Sequence, residues 1–218
     1  MDDGLVLVWD VDQTLSGQYF DPNVFKKNPA VNVYQYVILN PKALEIIKKA
    51  LAAKSTGRVS VIGILTNNGD EEFINLIISA IEKELNIGET PFDFVMTRNH
   101  PSRRLNEHQP KRLLDVEIML RKIGRSTDNL ANRVYFFDDM PDHVIRGEIP
   151  PDHYIQITPP YVHQVPDTTN WSPIETALDT LPAASKGGRR QRRRPAKKSR
   201  RRHKKRTRYS RSMRDGSV

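Results

Sequence analysis

Cysteine is absent from the 218 residues of the chain. This excludes disulfides, a thiol nucleophile and any zinc site built on thiolates, and it suits a reducing compartment. Long apolar runs are also missing, since none reaches the roughly 20 residues that a membrane-spanning helix needs. The opening MDDG is acidic and lacks the basic region with which a secretory signal begins. A soluble, intracellular protein is expected, cytoplasmic or nuclear, with no membrane association. The length allows one α/β domain with a sizeable core and little more.

Positive charge is in excess, and it is unevenly placed. Lys and Arg number 35 against 26 Asp and Glu, a formal net charge of +9. From Lys186 to Val218 there are 17 Lys and Arg and a single acid, Asp215, which leaves 18 basic and 25 acidic residues in the first 185. The body therefore carries about −7 and the tail about +16. The tail has no apolar period and cannot bury enough surface to offset its ordering entropy, so it is expected to be disordered, with Pro182 to Gly188 as a linker. The expected division is an α/β domain over 1–182 and a disordered Arg/Lys-rich tail over 183–218. Basic runs with single Tyr209 and His203 neutralise phosphates without reading sequence, and nucleic acid is the partner expected for residues 186–218. A nuclear-localisation signal, a packaging or solubility tail and contact with acidic proteins are the alternatives.

The body is organised around LVLVWDVDQTL. Leu5 to Trp9 is apolar without alternation, which is how a strand covered on both faces of a parallel sheet reads. At its carboxyl end Asp10 and Asp12 are two apart, so in extended backbone both carboxylates point to one side, with Val11 pointing away. Two carboxylates on one face at that end of a strand make a cation site in the usual ligand crevice of an open α/β sheet. Asn40 followed by Pro41 caps a helix with Ala43, Leu44, Ile47 and Leu51 at helical spacing. Arg58 to Leu65 is a second buried strand, ending at Thr66, Asn67 and Asn68. A helix follows from Asp70 with Phe73, Ile74, Ile77, Ile78, Ile81 and Leu85 as its apolar face, and its free N–H groups would attract an anion. Phe92 to Thr97 is a third strand, and a helical pattern begins at Lys111 and runs through Leu114, Ile118 and Leu120. Arg133 to Phe137 is a strand ending in Asp138 and Asp139, and Tyr154 to Thr158 a last short one. Ser172, Pro173 and Glu175 read as a capping box opening a helix through Leu181.

DVDQTL after an apolar strand resembles the first motif of the haloacid dehalogenase (HAD) superfamily of Mg²⁺-dependent phosphohydrolases. LTNN resembles the second motif, Lys111 stands where the third motif's lysine would, and the strand ending in Asp138 and Asp139 resembles the fourth. The resemblance implies Asp10 as nucleophile, Asp12 as general acid/base, Thr14 as support of the loop, and Thr66, Asn67 and Lys111 on the substrate phosphate. It implies Mg²⁺ held by Asp10, Asp139 or Asp138, and the main-chain carbonyl of Asp12. Arg98, Arg103, Arg104 and Lys122 compete with Lys111, and Asp142 and His143 share the spacing of the fourth motif with the two acids. The fold implied is α/β, a Rossmann-like parallel sheet flanked by helices, with a small flap over residues 17–39 in place of a cap domain.

The chemistry expected is phosphoric monoester hydrolysis through an aspartyl-phosphate. Only about 25 residues after the first strand and the 98–111 loop are available to cover the site, too few for a separate domain. In the family a nearly capless site goes with macromolecular substrates, so a nucleic-acid end or a phosphoprotein is expected. The alternative is a non-catalytic HAD-like scaffold whose basic tail binds nucleic acid. A basic tail on an acidic domain also resembles proteins of large DNA viruses.

Overall fold

The computed structural model of the chain describes residues 4–17, 37–103, 110–161 and 165–180. Leu5–Trp9 (β1), Val59–Leu65 (β2), Phe94–Met96 (β3), Val134–Asp138 (β4) and Tyr154–Gln156 (β5) form one parallel sheet in the order β3-β2-β1-β4-β5. β1 is the middle strand and all five of its residues are buried, as an unbroken apolar run requires. Parallel neighbours need crossovers. Pro41–Ser55 (α1), Glu71–Leu85 (α2) and Leu113–Lys122 (α3) lie on them, and the short Ile145–Glu148 (α4) and Ser172–Thr180 (α5) complete the described helices.

The alternation of side chains along β1 divides the core into two layers. Leu5, Leu7 and Trp9 pack with residues of α1, α2 and α5, among them Ile47, Ile77 and Ile174. Trp9 stacks on Phe137 at 3.7 Å between ring centroids. Val6 and Val8 belong to the opposite layer with Val61, Phe136, Val116 and Leu120. Helices thus cover both faces, which is the Rossmann-like arrangement expected. Between β2 and β3 the approach is close enough to need glycine: a Cβ on Gly63 would meet the Phe94 ring at 2.2 Å.

Two helix starts follow their sequence signals. Asn40 Oδ1 accepts from the N–H groups of Lys42 and Ala43, while its Nδ2 donates to the Thr14 carbonyl at 3.1 Å. That single buried side chain caps α1 and fastens it to the turn after β1. Asp70 caps α2 by accepting from the Phe73 N–H at 3.0 Å.

Three local readings are corrected. Of the expected face of α3, Leu120 is buried and Ile118 packs at the core margin, but Leu114 is 53% exposed, and Val116 and Met119 are buried in addition. The helix begins at Leu113, two residues after Lys111, which leaves Leu114 in its first turn facing outward. Only Phe94–Met96 of the Phe92 to Thr97 run is strand, although Phe92 is buried in the core. The capping box at Ser172 does not form. Ser172 is already helical, the Trp171 carbonyl accepts from the Glu175 N–H, and the Glu175 carboxylate is drawn to Lys42 of α1 at 2.7 Å.

Both described ends of the expected flap meet, with Ser16 and Leu39 in an antiparallel bridge and the Gly17 N–H donating to the Ile38 carbonyl at 2.7 Å. Its middle, residues 18–36, lies outside the described residues, as do Arg104 and residues 181–218 with the expected boundary at 182.

Asn40→Ala should cost about 1–2 kcal/mol, from the lost cap and the lost bond to the Thr14 carbonyl. Leu114→Ala should stay within about 0.5 kcal/mol, as an exposed substitution does. Urea denaturation of both variants checks this, and a larger loss for Leu114→Ala would place that side chain in the core.

Candidate active site

Strands β1, β2 and β4 deliver their polar residues to the carboxyl edge of the sheet. The ladder runs one residue past β1, the Asp10 N–H donating to the Phe137 carbonyl at 2.9 Å. Trp9 is in register with Phe137, so Asp10 comes beside Asp138. Parity then places Asp10 after Val6 and Val8, and Asp138 after Val134 and Phe136, in the layer that α3 covers.

Lys111, two residues before α3, enters that layer. Its side chain is 1% exposed, with Nζ 2.8 Å from Asp10 Oδ1 and 2.6 Å from Asp138 Oδ2. Asp138 is fully engaged, because its Oδ1 accepts from the Met140 N–H at 2.8 Å and its Oδ2 also lies 3.4 Å from His143 Nε2. The Lys111 N–H donates to His143 Nδ1 at 3.4 Å, so the His143 proton belongs on Nε2, toward Asp138. Asp10 Oδ1 is buried and forms no aligned hydrogen bond in spite of the ion pair.

One ammonium between two carboxylates gives them different acidities. Burial pushes Asp10 up to about 7, against the pull of Lys111 and with the help of Asp138's like charge. Burial would also raise Asp138, but Lys111 and His143 together hold it below the ordinary carboxylate range. Asp139 is pushed up to about 6 by burial and then by the charge of Asp138. Lys111 stays above its ordinary value, because Asp10 and Asp138 outweigh the cost of its burial.

Asp12 meets the loop after β2. Val11 is buried in the core between the two acids, as their alternation requires. The Asp12 carboxylate receives the Asn68 amide, with Nδ2 at 3.2 and 3.1 Å from its two oxygens, and burial raises its pKa. Thr66 is buried, and its Oγ1 accepts from the Asn68 N–H at 3.0 Å. Arg103 donates to the Thr66 carbonyl at 2.9 Å and to Asn67 Oδ1 at 2.7 Å, which braces the loop after β2.

Asp10, Asp138 and Asp139 each offer a carboxylate oxygen within 4.8 Å of the others, and all three are buried. Hard oxygen donors of this kind suit a hard divalent cation. Fully ionised, the three carboxylates and Lys111 leave two negative charges, which a bound divalent cation would offset. The residues therefore fit a divalent ion, with Asp10 and Asp139 the freer ligands because Asp138's oxygens are already engaged.

The structure brings together Asp10, Asp138, Asp139 and Lys111, with Asp12, Thr66 and Asn67 on the β2 side. It does not bring in Asp142, Arg98 or Lys122, all exposed, and Asp12's carboxylate stands outside the three-acid cluster. Arg103 is buried as a brace, bonded to the Thr66 carbonyl and Asn67 Oδ1 and 3.7 Å from the Asp115 carboxylate. Sequence reasoning missed the contact of Asn68 with Asp12. Its only sequence signal is the turn-forming asparagine just ahead of a helix cap.

Among solved structures, the chain is similar to a probable YrbI family phosphatase from Pseudomonas syringae pv. phaseolica 1448a, at 14% identity and a TM-score of 0.44, over 83% of this chain and 89% of that one. No protein-family model and no curated protein matches the chain.

The raised acids predict how metal-free protein responds to pH. A carboxyl whose folded pKa lies above its unfolded value of 3.8 contributes stability that is complete below that value and is lost as pH rises through the folded pKa. Asp10 and Asp139 should therefore destabilise the folded state progressively between about pH 4 and pH 7 in EDTA. His100 and His153, both held low by burial, contribute the opposite slope and cancel in a comparison of wild type with Asp139→Asn. The stability gained by Asp139→Asn should grow from pH 5 to pH 8 in EDTA and shrink on adding Mg²⁺. A gain that is constant with pH would contradict the raised value.

Proposed function

We propose that the chain is a Mg²⁺-dependent phosphohydrolase of the HAD type, with Asp10 as nucleophile. The observation that carries this reading is Lys111 buried between Asp10 and Asp138, with Asp139 beside them and Asp12 and Thr66 linked through Asn68. Asp10 attacks the phosphorus of a monoester, forming an aspartyl-phosphate as the ester P–O bond breaks. Asp12, whose burial favours the protonated form at the start, gives its proton to the leaving oxygen. In the second half Asp12 takes a proton from water as the water oxygen bonds to phosphorus, and Asp10 leaves as a carboxylate. Lys111 offsets charge on Asp10 and the phosphoryl oxygens, and the Thr66 hydroxyl and the Asn67 side of the loop hold the phosphate. A divalent ion on Asp10 and Asp139 would supply the remaining charge neutralisation between carboxylate and phosphate dianion.

A macromolecular substrate is favoured by the short intervals that cover the site and by the Arg/Lys-rich tail. Nucleic acid bound through residues 186–218 would bring its own phosphorylated ends close to the body, raising local concentration without adding chemistry. Specificity for such an end over a phosphoprotein rests on the density of positive charge in the tail.

With Mg²⁺ and an aryl phosphate, Asp10→Asn should lower turnover by about a thousandfold or more. Asp139→Asn should raise the Mg²⁺ concentration needed for half-maximal rate by about tenfold, since an outer ligand change alone costs that much. Asp138→Asn should instead cost about 3–5 kcal/mol of stability by leaving Lys111 half-paired. Turnover that survives Asp10→Asn would sink the mechanism and leave the domain as a scaffold for the tail.

Deleting Lys186 to Val218 should abolish sequence-independent, steeply salt-dependent binding to nucleic acid while leaving hydrolysis of a small aryl phosphate within about twofold. Unchanged affinity in the truncated protein, or affinity indifferent to salt, would assign the tail to another partner.

A further inference from the structure

We propose that Asn68 is a positioning residue that aims the Asp12 carboxyl at the leaving-group oxygen and registers it to the phosphate-binding hydroxyl of Thr66. This rests on the reading of Asp12 as the general acid. The Asn68 amide is held at both ends. Its Oδ1 accepts from the Asp70 N–H at 2.7 Å, so the half of the amide that reaches Asp12 is the NH₂ group. Nδ2 lies at 3.1 and 3.2 Å from the two Asp12 oxygens, centred on the carboxylate rather than on one of its atoms. Through its main chain the same residue donates to Thr66 Oγ1 at 3.0 Å. One residue of the β2 loop thus touches both the proton donor and the hydroxyl expected on the phosphoryl group.

Asp12 has reason to need such a partner. It follows the end of β1, and the next residue, Gln13, has a φ of 54°, in the left-handed region. Its described main-chain tie is a bridge to Ser16 within the same turn. Proton transfer requires the donor within hydrogen-bond reach of the accepting atom, so a carboxyl free to rotate would lose rate in proportion to the time it spends elsewhere. Asn68 supplies from β2 the orientation that the β1 turn does not.

The bland alternative is that Asn68 only shapes the loop that leads into the helix after β2. The two roles separate by leaving group. A nitrophenolate departs with little help from an acid, whereas an alkoxide needs its proton as the bond breaks. Asn68→Ala removes every side-chain contact, while Asn68→Ser leaves a short hydroxyl for the Asp70 N–H and cannot span to Asp12. With Mg²⁺, both variants should lose about tenfold to a hundredfold in kcat/KM for an alkyl phosphate and less than about threefold for p-nitrophenyl phosphate. In an Asp12→Asn background the Asn68→Ala change should have little further effect on either substrate, because the residue it positions is gone.

Equal losses on both substrates, no loss on either, or an undiminished effect in the Asp12→Asn background would each overturn the positioning role. Failure of the wild-type protein to hydrolyse either ester would instead overturn the phosphohydrolase reading, and this inference with it. Thermal melting of each variant shows whether an equal loss reflects an unfolded loop, which is the outcome the loop-shaping alternative predicts.

Discussion

A buried ammonium between two buried carboxylates is the contact on which the rest of this site depends. Removing Lys111 from water is costly, and the cost is met only because Asp10 and Asp138 both lie within 2.8 Å of Nζ. The contact ties the approach to α3 to the ends of two central strands, so fold and site share one set of bonds. It also divides the charges: Lys111 and His143 hold Asp138 below the ordinary carboxylate range against its burial, while burial raises Asp10 to about 7 in spite of Lys111.

The adjacent acids at the end of β4 divide the work. Asp138, the last strand residue, continues the inward row of Val134 and Phe136 and is taken up by Lys111, the Met140 N–H and His143. Asp139 lies just beyond the strand, is 8% exposed, and keeps its carboxylate within the three-acid cluster. One residue of sequence thus separates an acid that holds the lysine from an acid that is available to a cation. Asp12 and Thr66 are joined through Asn68, which ties the turn after β1 to the loop after β2.

What the sequence made legible was whatever depends on local pattern and strand parity. The apolar runs of β1 and β4 announced central strands, and their terminal acids then had to fall together at the carboxyl edge of a parallel sheet. The caps at Asn40 and Asp70 were equally local. What could not be read depends on partners distant in the chain. Lys111 and Arg103 are both cations of the same stretch, and only the packing of the approach to α3 sends one to Asp10 and the other to the Thr66 carbonyl. Glu175 looked like a capping residue until α1 presented Lys42. Leu114 would face inward in a helix that started at Lys111, but the helix starts at Leu113. Asn68 read as a turn, since nothing local says that an amide will meet a carboxylate 56 residues earlier.

If Asp10 is the nucleophile that bonds to phosphorus, the phosphoenzyme shows it most directly. The Asp12→Asn protein, in which hydrolysis of the intermediate is slowed, is mixed with Mg²⁺ and p-nitrophenyl phosphate, quenched in acid and reduced with borohydride. Peptide mass spectrometry should then find homoserine at position 10, the product of reducing an aspartyl-phosphate there. Release of nitrophenolate with position 10 still aspartate, or with the phosphoryl group on another residue, would contradict it.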